Sequence, residues 1–248
     1  MYFLRFAVCD LEMQYMISAH RGAPSMAPEN TLASFKEALE LNVDFIELDV
    51  RASRDGVLVV IHDEYVDRTT NGHGKVCDLL YREIKSLDAG SWFSQKFRGE
   101  RIPTLRQALK LLSFGEKDII LDIKTKGIEQ KALDLIHTMG LGKKTWISAS
   151  DINILRNVRK KDHHIKLMYI VSDLDMLLIE TLKRIDVSMV APKPNGIVGK
   201  ISLFQNNGIL INLGVVNRIS DLLLYLEKGV RVFTSDKPEI VSVFKGVL

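Results

Sequence analysis

The segment 45–63, FIELDVRASRDGVLVVIHD, sets Glu47, Asp49, His62 and Asp63 inside two apolar, strand-like runs. Glu47 and Asp49 are two residues apart, so on a strand both side chains leave the same face. A third acid, Asp122, lies in DIILDIK (118–124), two residues before Lys124. His20 and Arg21 close the run MISAH (16–20). Three carboxylates held together must take up protons or gather a cation. Oxygen ligands favour a hard ion, Mg²⁺ or Ca²⁺, over zinc. The plainer alternative is that the acids only pair with Arg21 and Lys124. Histidine titrates at about pH 6.5, so His20 and His62 could give and take protons near neutrality. Two structural histidines with satisfied hydrogen bonds are the competing reading. Arg21 offers a planar fork to two phosphate oxygens. With Lys124 and a metal it suits a phosphate diester, whose charge grows toward a pentacoordinate transition state. His73 reads as a turn residue, His163-His164 as a helix end and His137 as a helix surface.

These residues need elements that bring them together. Strand-like runs recur at 16–20, 45–50, 118–124, 145–149, 166–171, 187–191, 209–214 and 230–235. Many are continuously apolar and β-branched, as buried parallel strands are. A helical pattern can follow each. Asn30 reads as an N-cap, with Leu32, Phe35, Ala38 and Leu39 on one apolar face. Further helices are expected at 104–113, 128–139, 151–160, 174–183, 200–207, 218–227 and 238–246. Thr104 and Asp151 stand at helix starts, and Pro238 fits a first turn. Eight β-then-α units predict an α/β fold, a TIM-type (β/α)8 barrel, whose site lies at the C-terminal ends of the strands. Lys193, Asn217 and Asp236 also fall at such ends. The Gly-rich fingerprint of an open dinucleotide-binding sheet is absent.

VLVVIH (57–62) does not fit the count. Asp55-Gly56 before it is a hairpin signal, so 57–62 is expected to return antiparallel to 45–50. A two-residue turn at 55–56 would set residue 54 opposite 57 and Asp49 opposite His62. Asp63 then reads as a turn residue or one standing behind the groups that touch substrate and metal. The long connection 63–102 reads as a lid or a small inserted subdomain after the second strand. Its Trp92, Phe93 and Phe97 suit the subdomain's own core better than a channel for an acyl chain.

Composition narrows the class. The chain has 248 residues, 46% hydrophobic and 26% charged, which is ordinary for a globular protein and fits one domain, 1–248. Residues 1–15 read as an N-terminal extension, and Met13 as a candidate alternative start. A net charge of +3 with no Lys/Arg-rich run argues against nucleic acid. No apolar run reaches the roughly 18 residues of a membrane span, and MYFLRFAV lacks a signal-peptide cleavage site. No transmembrane segment is therefore expected. Cys9 and Cys77 stand alone, without metal spacing, which fits a reduced, cytoplasmic compartment. Nothing in the sequence specifies an oligomeric state.

HRG (20–22), PENT (28–31), FIELDV (45–50), DG (55–56), HD (62–63), RTTNG (68–72) and IPTL (102–105), in this order, resemble the glycerophosphodiester phosphodiesterases. The likeness is dense through about residue 125 and continues to Ser235-Asp236. It implies a TIM-type barrel with a small inserted subdomain, and metal-dependent hydrolysis of a small-molecule glycerophosphodiester to glycerol phosphate and an alcohol. It also implies that Glu47, Asp49 and Asp122 hold one divalent cation, that His20 and His62 are the acid–base pair, and that Arg21, Lys124 and Asn217 bind substrate. PENT itself needs only a helix-capping explanation. Two positions depart from the family pattern. Asp122 stands where the family has Glu, and Gly214-Val215-Val216-Asn217 where it often has Trp-Thr-Val-Asn. The first bears on the choice between Mg²⁺ and Ca²⁺, the second on the substrate. A lysophospholipid phosphodiesterase and a non-catalytic phosphodiester-binding barrel are the alternatives.

Overall fold

A computed structural model describes residues 15–193, 197–243 and 245. The expected N-terminal extension, Cys9 and the candidate start at Met13 lie essentially outside the described residues. Strands β1 (Met16–Ala19), β2 (Phe45–Ala52), β4 (Asp118–Ile123), β5 (Thr145–Ala149), β6 (Lys166–Val171), β7 (Met189–Pro192), β8 (Leu210–Gly214) and β9 (Val232–Ser235) form one parallel sheet. Each pairs with the next, and β1 pairs with both β2 and β9, so the sheet closes into a barrel. Helices α1 (Leu32–Glu40), α3 (Leu105–Leu112), α4 (Glu129–Thr138), α5 (Ile152–Lys161), α6 (Met176–Arg184), α7 (Ile201–Gln205), α8 (Ile219–Glu227) and α9 (Pro238–Val241) follow the barrel strands. No helix among the described residues is long and apolar enough to cross a membrane.

Strand parity sorts the side chains. Ile46, Leu48 and Val50 face outward into the large core against the helices. Phe45, Ile120, Trp146, Met168, Met189 and Val232 fill the barrel interior as a separate apolar layer. The Phe45 and Trp146 rings meet edge to face at 5.9 Å. This floor leaves the C-terminal end of the interior to polar residues. There Asp49 pairs in register with Asp122, and Asp122 with Ser148.

The helices start for local reasons. Thr104 accepts from the Gln107 N–H, and the Gln107 amide oxygen accepts from the Thr104 N–H, a reciprocal cap. Asp151 caps α5 through the Asn153 N–H. At α1 the cap is Thr31, whose hydroxyl oxygen accepts from the Ser34 N–H. Asn30, the expected cap, has φ 57° and sends its amide to the site instead.

The hairpin forms with a different register. β3 (Leu58–Val60) runs antiparallel to β2, pairing Val50 with Val60 and Ala52 with Leu58. Asp49 therefore faces Ile61, whose N–H donates to the Asp49 carbonyl at 3.0 Å, and not His62. The loop holds three residues, 54–56, rather than two. The Gly56 N–H donates to the Ser53 carbonyl, and the Ser53 N–H to the Val57 carbonyl. Gly56 at φ 75° closes the loop, as a left-handed glycine does in a three-residue hairpin connection. The ladder ends at Val60, so His62 is freed from strand parity. Beyond it, 63–102 carries the short helix α2 (Tyr81–Ile84), and its Val66, Val76, Ile84, Ala89 and Ile102 form an apolar cluster with Val59 and Ile61 of the return segment. Trp92, Phe93 and Phe97 stack edge to face on one another. Cys77 is free and exposed.

Gly56→Ala adds no clash, because the added carbon would meet only the Lys131 amine at 3.6 Å. It does force an L-residue into the left-handed region. We expect a loss of about 1 kcal/mol in stability, read from the urea midpoint. An unchanged midpoint would contradict this account of the turn.

Candidate active site

A cavity of about 700 Å³ opens at the C-terminal end of the barrel. One wall is polar, from His20, Arg21, Glu47, His62, Asp122 and Lys124. The opposite wall is largely apolar, with Met168, Ile170, Pro192 and Val215. Trp92, Phe93 and Phe97 are not among its lining residues.

Glu47, Asp49 and Asp122 each offer an oxygen within 4.8 Å of the others. All three are buried, Asp49 to 1% and Asp122 to 2% exposure. Burial, then the Asp49 charge, pushes the Glu47 pKa up to about 8. Burial also raises Asp122, against the pull of Lys124. For Asp49 burial acts the same way, but Lys124, His62, Arg21 and Asn30 outweigh it, and its pKa is lowered. Burial lowers and the carboxylates raise the Lys124 pKa, and the carboxylates win. Lys124 Nζ lies 2.5 Å from Asp122 Oδ2 and 3.1 Å from Asp49 Oδ1. It is aligned for a hydrogen bond only to the first. Asp49 Oδ1 and Asp122 Oδ1 are thus buried without a hydrogen-bond partner among the described residues. Buried oxygens are almost always satisfied. Two orphaned carboxylate oxygens beside a third crowded acid fit a hard divalent cation.

The two histidines have matching supports. His20 Nδ1 sits 2.6 Å from Asp236 Oδ1, and His62 Nδ1 2.6 Å from Asp63 Oδ1. A carboxylate there fixes the proton on Nδ1 and leaves Nε2 for acid–base work. The supports differ in charge. Asp63 is held by the Arg68 guanidinium at 2.5 Å, whereas Asp236 is held by the Asn217 amide at 3.3 Å. Burial lowers the pKa of both rings. For His20 the Asp236 hydrogen bond and the Glu47 charge reverse it, so its pKa is raised. For His62 burial prevails over Asp49 and Asp63, and its pKa is lowered.

Six of the eight singled-out residues line this cavity directly. Asp49 lies behind its wall at carboxylate distance from Glu47 and Asp122. The resemblance puts Asn217 on the substrate. Its side chain here accepts from the Asp236 N–H and the Ser235 hydroxyl and donates to the Asp236 carboxylate. That geometry supports the His20 partner. The reading of PENT as a mere cap misses two residues. Asn30 donates to Asp49 Oδ2 at 2.7 Å and accepts from the Asp49 N–H at 3.2 Å. Glu29 accepts from Arg21 Nη1 at 2.8 Å. An Asn is tolerated at positive φ, so the residue type at position 30 was open to this second reading.

The family model described as "Glycerophosphoryl diester phosphodiesterase family" matches residues 20–240. A glycerophosphodiester phosphodiesterase of Caldanaerobacter subterraneus subsp. tengcongensis is 39% identical over 240 residues, spanning 92% of this chain and 96% of that protein. A phosphodiesterase of Oleispira antarctica, solved with its product sn-glycerol-3-phosphate, is 29% identical with a TM-score of 0.84, over 91% of this chain and 94% of that one. A glycerophosphodiester phosphodiesterase of Agrobacterium tumefaciens str. C58 is 30% identical with a TM-score of 0.81, over 93% and 99%.

The raised Glu47 has a consequence for stability. Its folded pKa, about 8, exceeds the unfolded value of about 4.3, so the folded chain binds the extra proton between them. This group's contribution is complete below the unfolded pKa and is lost as pH rises through the folded one. A divalent cation relieves the same repulsion. The melting-temperature gain from added Mg²⁺ or Ca²⁺ should therefore be larger at pH 8 than at pH 5.5, and Glu47→Gln should flatten the difference. Equal gains at both pH values in the unaltered chain would contradict this.

Proposed function

The chain belongs to the glycerophosphoryl diester phosphodiesterase family, and from that premise we propose that it hydrolyses glycerophosphodiesters to glycerol phosphate and an alcohol. The observation that carries this reading is one cavity holding three crowded carboxylates, Arg21 and two carboxylate-backed histidines. We read 1–248 as one catalytic domain, with 63–102 an insertion in it.

Glu47, Asp49 and Asp122 hold one divalent cation, Mg²⁺ or Ca²⁺, which when bound supplies Lewis-acid neutralisation of phosphoryl oxygens. Arg21 takes a phosphate oxygen through its guanidinium, and Lys124 adds positive charge at the same wall. These groups stabilise the charge that grows on the phosphorus oxygens as the nucleophile adds. His62, with its lowered pKa, is neutral near pH 7 and takes the proton of the attacking hydroxyl. That hydroxyl belongs to water, which gives glycerol phosphate directly, or to the substrate's own glycerol, which gives a cyclic phosphate that water then opens with the roles of the two rings exchanged. His20, whose pKa is raised, holds its proton more firmly than His62 and gives it to the leaving alkoxide as the phosphorus–oxygen bond breaks. The proton taken and the proton given balance; each ring keeps its Nδ1 hydrogen bond to its carboxylate throughout, and the two Nε2 atoms return to their starting protonation by exchange with solvent. Asn30 holds Asp49 from behind, and Asn217 holds Asp236, so metal ligand and acid are oriented before substrate arrives.

The two histidine roles separate with leaving-group chemistry. His20→Ala and His62→Ala should each lower turnover of glycerophosphocholine by about a hundredfold or more. With a p-nitrophenyl phosphodiester, whose leaving group needs no proton, His20→Ala should recover most of its rate and His62→Ala should not. Steady-state kinetics with both substrates reads the split. Full turnover by either variant on glycerophosphocholine would overturn the acid–base assignment.

A further inference from the structure

RTTNG, at 68–72, has no role in the chemistry above, yet its first residue sits between two carboxylates of the site. Arg68 Nε donates to Asp63 Oδ2 at 2.5 Å and Nη2 to Asp63 Oδ1 at 3.2 Å. Its Nη1 donates to Glu29 Oε2 and its Nη2 to Glu29 Oε1, both at 2.8 Å. Glu29 Oε1 also accepts from Arg21 Nη1 at 2.8 Å, and Asp63 Oδ1 holds His62 Nδ1. A single guanidinium thus grips two carboxylates with its fork, one behind the histidine and one behind the arginine.

The rest of the motif builds the loop that presents Arg68. The Thr70 hydroxyl donates to the Val66 carbonyl and accepts from the Gly72 N–H. Asn71 and Asp88 exchange hydrogen bonds, Asn71 N–H to the Asp88 carbonyl and Asp88 N–H to the Asn71 side chain. Asp88 in turn accepts from the N–H groups of Gly90, Ser91 and Gly99. The loop is fixed at both ends inside the insertion.

We infer that Arg68 is a positioning residue that ties His62 to Arg21 through Asp63 and Glu29, so that the proton-transferring and phosphate-holding groups are oriented as one unit. Isolated surface ion pairs contribute little. This one is different in geometry, because both contacts are forked, and Glu29 at the centre is only 11% exposed. A lysine could reach one carboxylate but could not fork onto two. The insertion therefore carries the cation that joins the return strand after the hairpin to the loop after β1. This inference rests on the site reading proposed above.

Kinetic coupling tests it. Glu29→Gln should raise KM about tenfold with little change in kcat, because Arg21 loses its orienting partner. Asp63→Asn should lower kcat about tenfold, because His62 loses its own. Since Arg68 is shared, the double variant should lose well under the hundredfold product. In an Arg68→Ala background each substitution should add less than about threefold. Arg68→Lys serves the same cycle if Arg68→Ala does not fold, as judged by its melting curve. Losses that multiply, and that persist at full size without Arg68, would overturn the inference, as would an Arg68→Ala enzyme with unaltered KM and kcat. Full turnover by Arg21→Ala or His62→Ala would instead overturn the site reading beneath it.

Discussion

Three carboxylates share a buried space in which like charges cannot all remain ionised without compensation. Much else around the site answers to that constraint. Lys124 bridges Asp49 and Asp122, and Arg21 approaches Asp49 while its N–H holds Glu47 at 2.7 Å. Asn30 completes the shell of Asp49. Even so, two carboxylate oxygens have no hydrogen-bond partner among the described residues, and Glu47 is pushed toward its protonated form. A core with these residues replaced by apolar ones would cost less. The barrel keeps the cluster because its apolar floor lies beneath and its strands hold the backbone in register.

The histidines extend the same logic outward. Each ring is oriented by an aspartate, and each aspartate by a further donor. Charge on that outer donor differs, a guanidinium behind His62 and an amide behind His20. The two pKa values move apart from one ordinary starting value. Pairs of titratable groups whose surroundings separate them are how one site runs acid and base chemistry together. Here the groups that orient the rings stand outside the cavity lining.

Legibility in the sequence followed the range of the interaction. Strand period placed Glu47 and Asp49 on one face, and the β-then-α rhythm placed Asp122 beside them, because both depend on local pattern. The eight strands and the caps at Thr104 and Asp151 were legible for the same reason. The hairpin register was not. Asp55-Gly56 suits a two-residue loop or a three-residue one, since both want glycine at positive φ. The longer loop forms here, with Asp55 accepting from Ser53 and from the distant Tyr81 N–H. Asn30 and Glu29 were masked by a local explanation that was adequate on its own. Their partners lie 19 and 39 positions away, beyond any periodicity. Asn217 falls near the substrate by resemblance, while its hydrogen bonds go to the strand-end residues Ser235 and Asp236.

The central claim is that the buried acids hold the cation on which phosphodiester hydrolysis depends. Its most direct test is turnover of glycerophosphocholine by chelator-stripped protein, titrated with Mg²⁺ or Ca²⁺ while bound metal is measured in parallel by equilibrium dialysis. The account predicts no turnover in the stripped protein, and recovery in step with one bound cation per chain. Full turnover with no cation bound would contradict it.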